Sequence, residues 1–123
     1  MFQVCSVLFR KRDCYILQIW ILKNPDITVA EKFTNSEIAG LLESLPGWEY
    51  ADSSIRKTFK TRSYPATMGF VAAVGGFCQK HNHHPDYVLM KYREVEVSFS
   101  THSAGGVTSK DIDIAKDIET IPL

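Results

Sequence analysis

Three of the chain's four histidines fall in one short stretch, "KHNHHPDY", Lys80 to Tyr87, and the fourth is His102 in "STHS". Imidazole has an unperturbed pKa of about 6.5, so it gives and takes protons near neutral pH, and it is also a common metal ligand. His81, His83 and His84 therefore raise three readings: metal ligation, general acid/base chemistry, or a polar helix end. Metal ligation is the weakest of them. Adjacent histidines such as His83 and His84 point apart, and H-x-H-H lacks the H-x-x-x-H spacing that places two imidazoles on one helix face. Spacing alone leaves the other two readings open. A phosphate loop finds no better support, because "GFVAAVGG" has neither Walker spacing nor a preceding strand.

The elements that must carry these residues are legible from caps and periodicity. Thr34 and Glu37 have the spacing of a capping box, and Ile38, Leu41, Leu42 and Leu45 follow at helical intervals until Pro46-Gly47. Trp48 and Tyr50 alternate with polar neighbours, "ADSS" turns, and Ile55 to Thr61 returns as a strand. Ser63 is an N-cap with Pro65 in the first turn, and Phe70, Ala73, Val74, Phe77 and Cys78 form the apolar stripe of a second helix. Gly69, Gly75 and Gly76 are costly inside a helix, which predicts a neighbouring element packed close to them. Asn82 and Pro85 end that helix.

Tyr87 to Tyr92 and Val95 to Thr101 read as two further strands. In the second, Val95, Val97 and Phe99 face the core, and strand parity puts His102 with Ser98 and Ser100 on the opposite face. Gly105-Gly106 turns the chain. Thr108 and Asp111 repeat the capping pattern, opening a last helix through Ile112, Ala115 and Ile118. The order α-β-β-α-β-β-α implies an α+β fold of two layers, an antiparallel four-stranded sheet with helices on one face.

Residues 33–123 form the expected domain, and residues 1–32 an N-terminal extension and linker. "FQVCSVLF" and "CYILQIWIL" flank the polar "RKRD" and are expected to pair as an extra β-hairpin. The basic-then-apolar order also fits a targeting segment, so an organellar address stays open. The apolar run is too short to span a bilayer, which takes about 20 residues, and no membrane association is expected.

At 123 residues, with 45% hydrophobic and 23% charged, the chain is large enough for one buried core and too small for two. Fourteen basic residues balance fourteen acidic ones without long blocks, so direct nucleic-acid binding is not expected. Cys5, Cys14 and Cys78 are an odd number without a CxxC pair, which suits free thiols and a reducing, cytoplasmic setting.

The fuller pattern carries a resemblance. From about Thr34 to Ile121 the chain has "GW" at Gly47-Trp48, the double histidine and proline at His83 to Pro85, "STH" at Ser100 to His102, and G-x-T-x-x-D at Gly106 to Asp111. In this order the chain resembles the pterin-4a-carbinolamine dehydratases, also known as dimerisation cofactors of a homeodomain transcription factor. The resemblance implies dehydration of 4a-hydroxytetrahydrobiopterin to quinonoid dihydropterin in tetrahydrobiopterin recycling, by histidine acid/base catalysis, with neither metal nor organic cofactor. It matches His83 and His102 to the acid/base groups and His84 to a histidine more often assigned to binding. Asn82, Pro85, Ser100, Thr101 and Ser103 match substrate-contacting positions. Gln79 stands where the family often has a glutamate; it still accepts a hydrogen bond but carries no charge. The interval from His84 to His102 is one residue longer than the family pattern, a difference expected near "KYREV" as a longer turn or a bulge. His81 matches no family histidine and is expected at the surface.

The resemblance further implies a homodimer or homotetramer. In animals it also implies a second function, an interaction module that stabilises transcription-factor dimers, with a nuclear as well as cytoplasmic location.

Overall fold

The computed structural model describes residues 31–123, so the expected hairpin and the targeting alternative lie outside the described residues. The described chain runs α1 (Asn35–Leu42), β1 (Glu49–Ala51), β2 (Ser54–Lys60), α2 (Tyr64–His81), β3 (Tyr87–Met90), β4 (Glu94–Phe99), a single 3-10 turn (His102–Ala104) and α3 (Ser109–Ile118). The strands form one antiparallel sheet in the order β1-β2-β4-β3. The α+β architecture and its element order are those the sequence implies. Among the described residues no helix is long and apolar enough to cross a membrane.

Local chemistry sets the boundaries. Thr34 and Glu37 close a reciprocal capping box on α1, and Ser63 accepts from the Ala66 N–H at the start of α2. The β1–β2 hairpin turns on Asp52 and Ser53, both at positive φ, as a two-residue loop matched to strand twist requires. The strands are shorter than expected: β3 stops at Met90 and β4 at Phe99. The β3–β4 ladder is unbroken from Tyr87↔Ser98 to Met90↔Val95, so there is no bulge. The chain turns at Lys91 to Arg93 instead, closed by the Lys91 N–H on the Glu94 carbonyl, at the end of β3 away from His84.

Alternation in the strands decides which face is covered. Ile55, Phe59, Val95, Val97 and Phe99 pack against Ile38, Phe70, Val74, Cys78, Ile112, Ile114, Ala115 and Ile118 in one cluster. Trp48 joins it edge-on to Phe59 and donates its indole N–H to Glu119 at 2.7 Å, so the ring is buried without stranding its polar atom. The opposite face of the sheet carries Glu49, Arg56, Thr58 and Glu96. With Gly47 and Lys57 they line a cleft of about 200 Å³ that holds none of the histidines.

The glycines of α2 depart from expectation. A Cβ added at Gly69, Gly75 or Gly76 would meet nothing within 4 Å, so no described element approaches them. The stripe that α2 buries instead is Thr67, Phe70, Val74 and Cys78. Burial pushes the Cys78 thiol above its ordinary pKa, which keeps it protonated.

Packing of α2 on α3 is fixed partly by charge. His81 is half-buried rather than at the open surface, with Nε2 at 2.7 Å from Asp117 on α3, and Lys80 reaches the same carboxylate oxygen at 3.1 Å. The hydrogen bond from His81, then that from Lys80, holds the Asp117 carboxyl below its usual range. A lowered folded-state pKa gives stability that is complete above the unfolded carboxylate value, about 3.9, and is lost as pH falls through the folded value. Asp117→Asn is therefore expected to lower the urea midpoint at neutral pH. The gap to wild type should close in acid below the ordinary carboxylate range, as followed by circular dichroism.

Candidate active site

The end of α2 aims the first histidine. Asn82 adopts the left-handed conformation at φ 47°, and the next two backbone bonds, Asn82 N–H to Gln79 and His83 N–H to Cys78, complete a Schellman-type stop. Asparagine tolerates this conformation better than most residues, so Asn82 has a backbone reason to be where it is. The reversal turns His83 inward, where it is 8% exposed and lies against Phe99 with ring centroids 6.1 Å apart.

His83 Nε2 lies 2.5 Å from Asp111 Oδ1. Asp111 is fully buried at the start of α3 and accepts three times, the other donors being the Thr101 hydroxyl and the Thr108 N–H, each to Oδ2 at 2.9 Å. An ionised carboxylate only accepts, so the proton of this pair sits on Nε2 and His83 Nδ1 is the nitrogen left over. Nδ1 has no partner among the described residues. No buried polar side-chain atom there goes unpaired, which makes Nδ1 the part of the ring that reaches the surface.

The second histidine comes from the exit of β4. Thr101 and Gly106 form an isolated bridge, and Gly105, at φ 71°, lets the intervening 3-10 turn close on itself. His102 opens that turn with its side chain 84% exposed and its Nε2 3.0 Å from Asp86 Oδ1. Ser100 donates to the same oxygen at 2.6 Å and Ser98 to Oδ2 at 3.1 Å. The parity argument therefore carries past the strand's end: Ser98, Ser100 and His102 share one face and one carboxylate.

The remaining expected residues are placed as follows. His84 is exposed, Pro85 half-buried, and Gln79 and Ser103 exposed. The Thr101 side chain is spent inward on Asp111 and Thr108, and its N–H bonds the Gly106 carbonyl, so its polar groups are occupied by the fold. His83 and His102 stand at the same end of β4, but on two different carboxylates. Asp86 and Asp111 were the residues missed as site members. Asp111 was visible in the sequence as a capping residue and as the end of the G-x-T-x-x-D motif, without a site role, and Asp86 had no signal beyond following the proline. Among the described residues no group of three His, Cys, Asp or Glu side chains is arranged to hold a metal ion.

Known proteins match most of the described chain. The family model for pterin 4 alpha carbinolamine dehydratase matches residues 31–121. A relative from Roseiflexus sp. (strain RS-1) is 39% identical over 93 residues, covering 76% of this chain and 99% of its own. One from Aquifex aeolicus (strain VF5) is 34% identical, covering 76% of this chain and 93% of its own. Both are provisionally named pterin-4-alpha-carbinolamine dehydratases. The crystal structure of a transcriptional coactivator/pterin dehydratase from Brucella melitensis superposes with a TM-score of 0.70 at 33% identity, over 74% of this chain and 98% of that one. A pterin dehydratase-like RuBisCO assembly factor of the alpha-carboxysome shares the fold alone, at 15% identity and a TM-score of 0.52.

The Asp111 geometry sets an expectation for stability. Asp111→Ala removes a helix cap and strands the donors of His83 and Thr101 in the interior, and breaking a buried pair from one side costs about 3 kcal/mol or more. Thr34→Ala, which removes only the exposed cap of α1, costs about 1 kcal/mol. Chemical denaturation should rank the two variants in that order.

Proposed function

The chain belongs to the pterin 4 alpha carbinolamine dehydratase family, and from that premise we propose that it is a hydro-lyase acting on a 4a-hydroxytetrahydropterin, 4a-hydroxytetrahydrobiopterin in the first instance. The reaction expels the C4a hydroxyl as water and yields the quinonoid dihydropterin. A general acid protonates the leaving hydroxyl, a general base takes the proton from N5, and the N5 electrons close the C4a=N5 bond. One proton enters and one leaves, with no redox step.

The observation that carries this reading is the pair of imidazoles at one end of β4, His83 hydrogen-bonded through Nε2 to Asp111 and His102 with Nε2 3.0 Å from Asp86. His83 keeps Nδ1 for a substrate, and two imidazoles suffice for one proton in and one proton out. Exposed His84, beside His83, is the binding histidine of this reading. The serines, Asn82 and Pro85 border the same end of the strand, where backbone and hydroxyl groups are at hand for the polar edge of a pterin. Tetrahydrobiopterin recycling in the cytoplasm is the physiological setting this chemistry suits.

Self-association belongs to the same proposal. The glycine face of α2, uncovered among the described residues, and the exposed Tyr87, Leu89 and Met90 of edge strand β3 are surfaces on which copies of the chain would meet.

Rapid-mixing measurement of carbinolamine dehydration tests the chemical reading. His83→Ala and His102→Ala are each expected to lower kcat by about 10²-fold. His84→Ala should act mainly on KM. Wild-type rates in both the His83 and His102 variants would overturn the acid/base assignment.

A further inference from the structure

The residues that lead into α1 cross the turn that carries His102. Phe33 donates its N–H to the Val107 carbonyl at 2.8 Å, and its ring packs against the edge of the core. One position earlier, the side chain of Lys32 lies over Gly106: a Cβ placed on that glycine would meet Cδ, Cε and Cγ of Lys32 at 3.0, 3.1 and 3.2 Å. We infer that Lys32 is a positioning residue of the proposed site, resting on the reading of His102 as an acid/base group: its aliphatic stem straps Gly106 and keeps the turn from Thr101 to Gly106 closed, so that His102 and Ser103 are presented in one arrangement.

The need for a strap follows from how the turn is held. His102 has 84% of its side chain in solvent, and Ser103 and Gly105 are exposed as well, so packing does little to fix this segment. Its closing bonds converge on the two ends: the Thr101 N–H donates to the Gly106 carbonyl at 2.8 Å, and the Ala104 and Gly105 N–H groups each donate to the Thr101 carbonyl at 3.0 Å. Thr101 is anchored inward by its hydroxyl, which meets Thr108 and Asp111. Gly106 has no side chain with which to anchor the other end, and backbone bonds open to water contribute little, because water competes for both partners. A lysine lays its four-carbon stem along a surface while its ammonium stays in solvent. Lys32 is exposed in this way, and yet Gly106 beneath it is buried. The missing Cβ at Gly106 is what lets the stem reach the backbone, and the Phe33 bond to the next residue, Val107, sets the stem's register over it. Water is thereby kept from the Thr101–Gly106 pair. Holding a catalytic group in place before substrate arrives removes an ordering cost that would otherwise be met at the transition state.

Two substitutions separate the stem from the charge. Lys32→Met keeps an unbranched apolar stem and removes the ammonium, whereas Lys32→Ala removes both and leaves the Phe33 bond in place. Lys32→Ala is expected to lower kcat for carbinolamine dehydration about 10-fold with KM moved less, and Lys32→Met to stay within a few-fold of wild type. A second readout does not depend on turnover. Exchange of the Thr101 and Gly105 amide protons, followed by 15N-resolved NMR in deuterium oxide, should be about 10-fold faster in Lys32→Ala and at the wild-type rate in Lys32→Met. Wild-type kcat in Lys32→Ala, a Lys32→Met variant as slow as Lys32→Ala, or unchanged exchange at both amides in Lys32→Ala would each overturn the inference. If the wild-type protein fails to accelerate dehydration at all, the dehydratase reading falls, and the exchange rates still decide whether Lys32 straps the turn.

Discussion

A carboxylate with no access to water is the constraint around which the end of this domain that carries His83 and His102 is arranged. Asp111 is fully buried, and burying such a group without donors would cost more than any single contact in the fold supplies. Its three donors come from three places in the chain: the Thr108 N–H at the start of α3, the Thr101 hydroxyl at the exit of β4, and His83 just after α2. Satisfying the charge thus fixes where α2 stops, where β4 ends and where α3 begins. The capping box of α3 and the support of His83 are one structure, so local helix chemistry and site chemistry cannot be varied separately.

From that point β4 acts as a divider. Val95, Val97, Phe99 and Thr101 follow one parity, toward the core and Asp111, while Ser98, Ser100 and His102 follow the other, toward Asp86. Two histidines from distant stretches therefore arrive at one end of the strand with unlike surroundings. One is packed against Phe99 and nearly enclosed, and the other is in water with Nε2 3.0 Å from Asp86. The strand's two-residue repeat, a property of backbone geometry alone, is what separates them.

Much of this was legible before any coordinates. Caps at Thr34, Ser63 and Thr108 located three helix starts, because a side chain that bonds its own backbone leaves a local signature. Alternation in β4 gave its core face, and the same alternation gave the side of His102. The partners were not legible, since Asp86 and Asp111 act on histidines through the fold. Asp111 lies 28 positions from His83, and no periodicity records a contact of that kind. The glycines of α2 misled for a related reason. Their cost in a helix implied a close neighbour, but within the described chain they face open space, so the described packing does not account for them. His81 was expected at the surface because it matched no pattern, and tertiary pairing with Asp117 half-buries it.

That third pair sharpens what the proposed acid/base role asks of an imidazole. His81 and His83 sit two positions apart at the end of α2, and each meets a carboxylate of α3, Asp117 and Asp111 respectively. By partner chemistry the two are alike, so an aspartate–histidine contact is not by itself a catalytic sign. They differ in direction: His81 is still part of the helix, and its ring closes the α2–α3 seam, where it adds to the hold of Lys80 on the same oxygen. His83 follows the left-handed turn at Asn82, which swings it from the helix axis toward the end of β4 where His102 emerges. The proposed proton-transfer pair needs two imidazoles at one substrate, and the turn at Asn82 is what takes one histidine of "HNHH" out of helix packing and toward the end of β4. The backbone conformation of a single asparagine, and not the number of histidines, divides the cluster into a clamp and half of the proposed site.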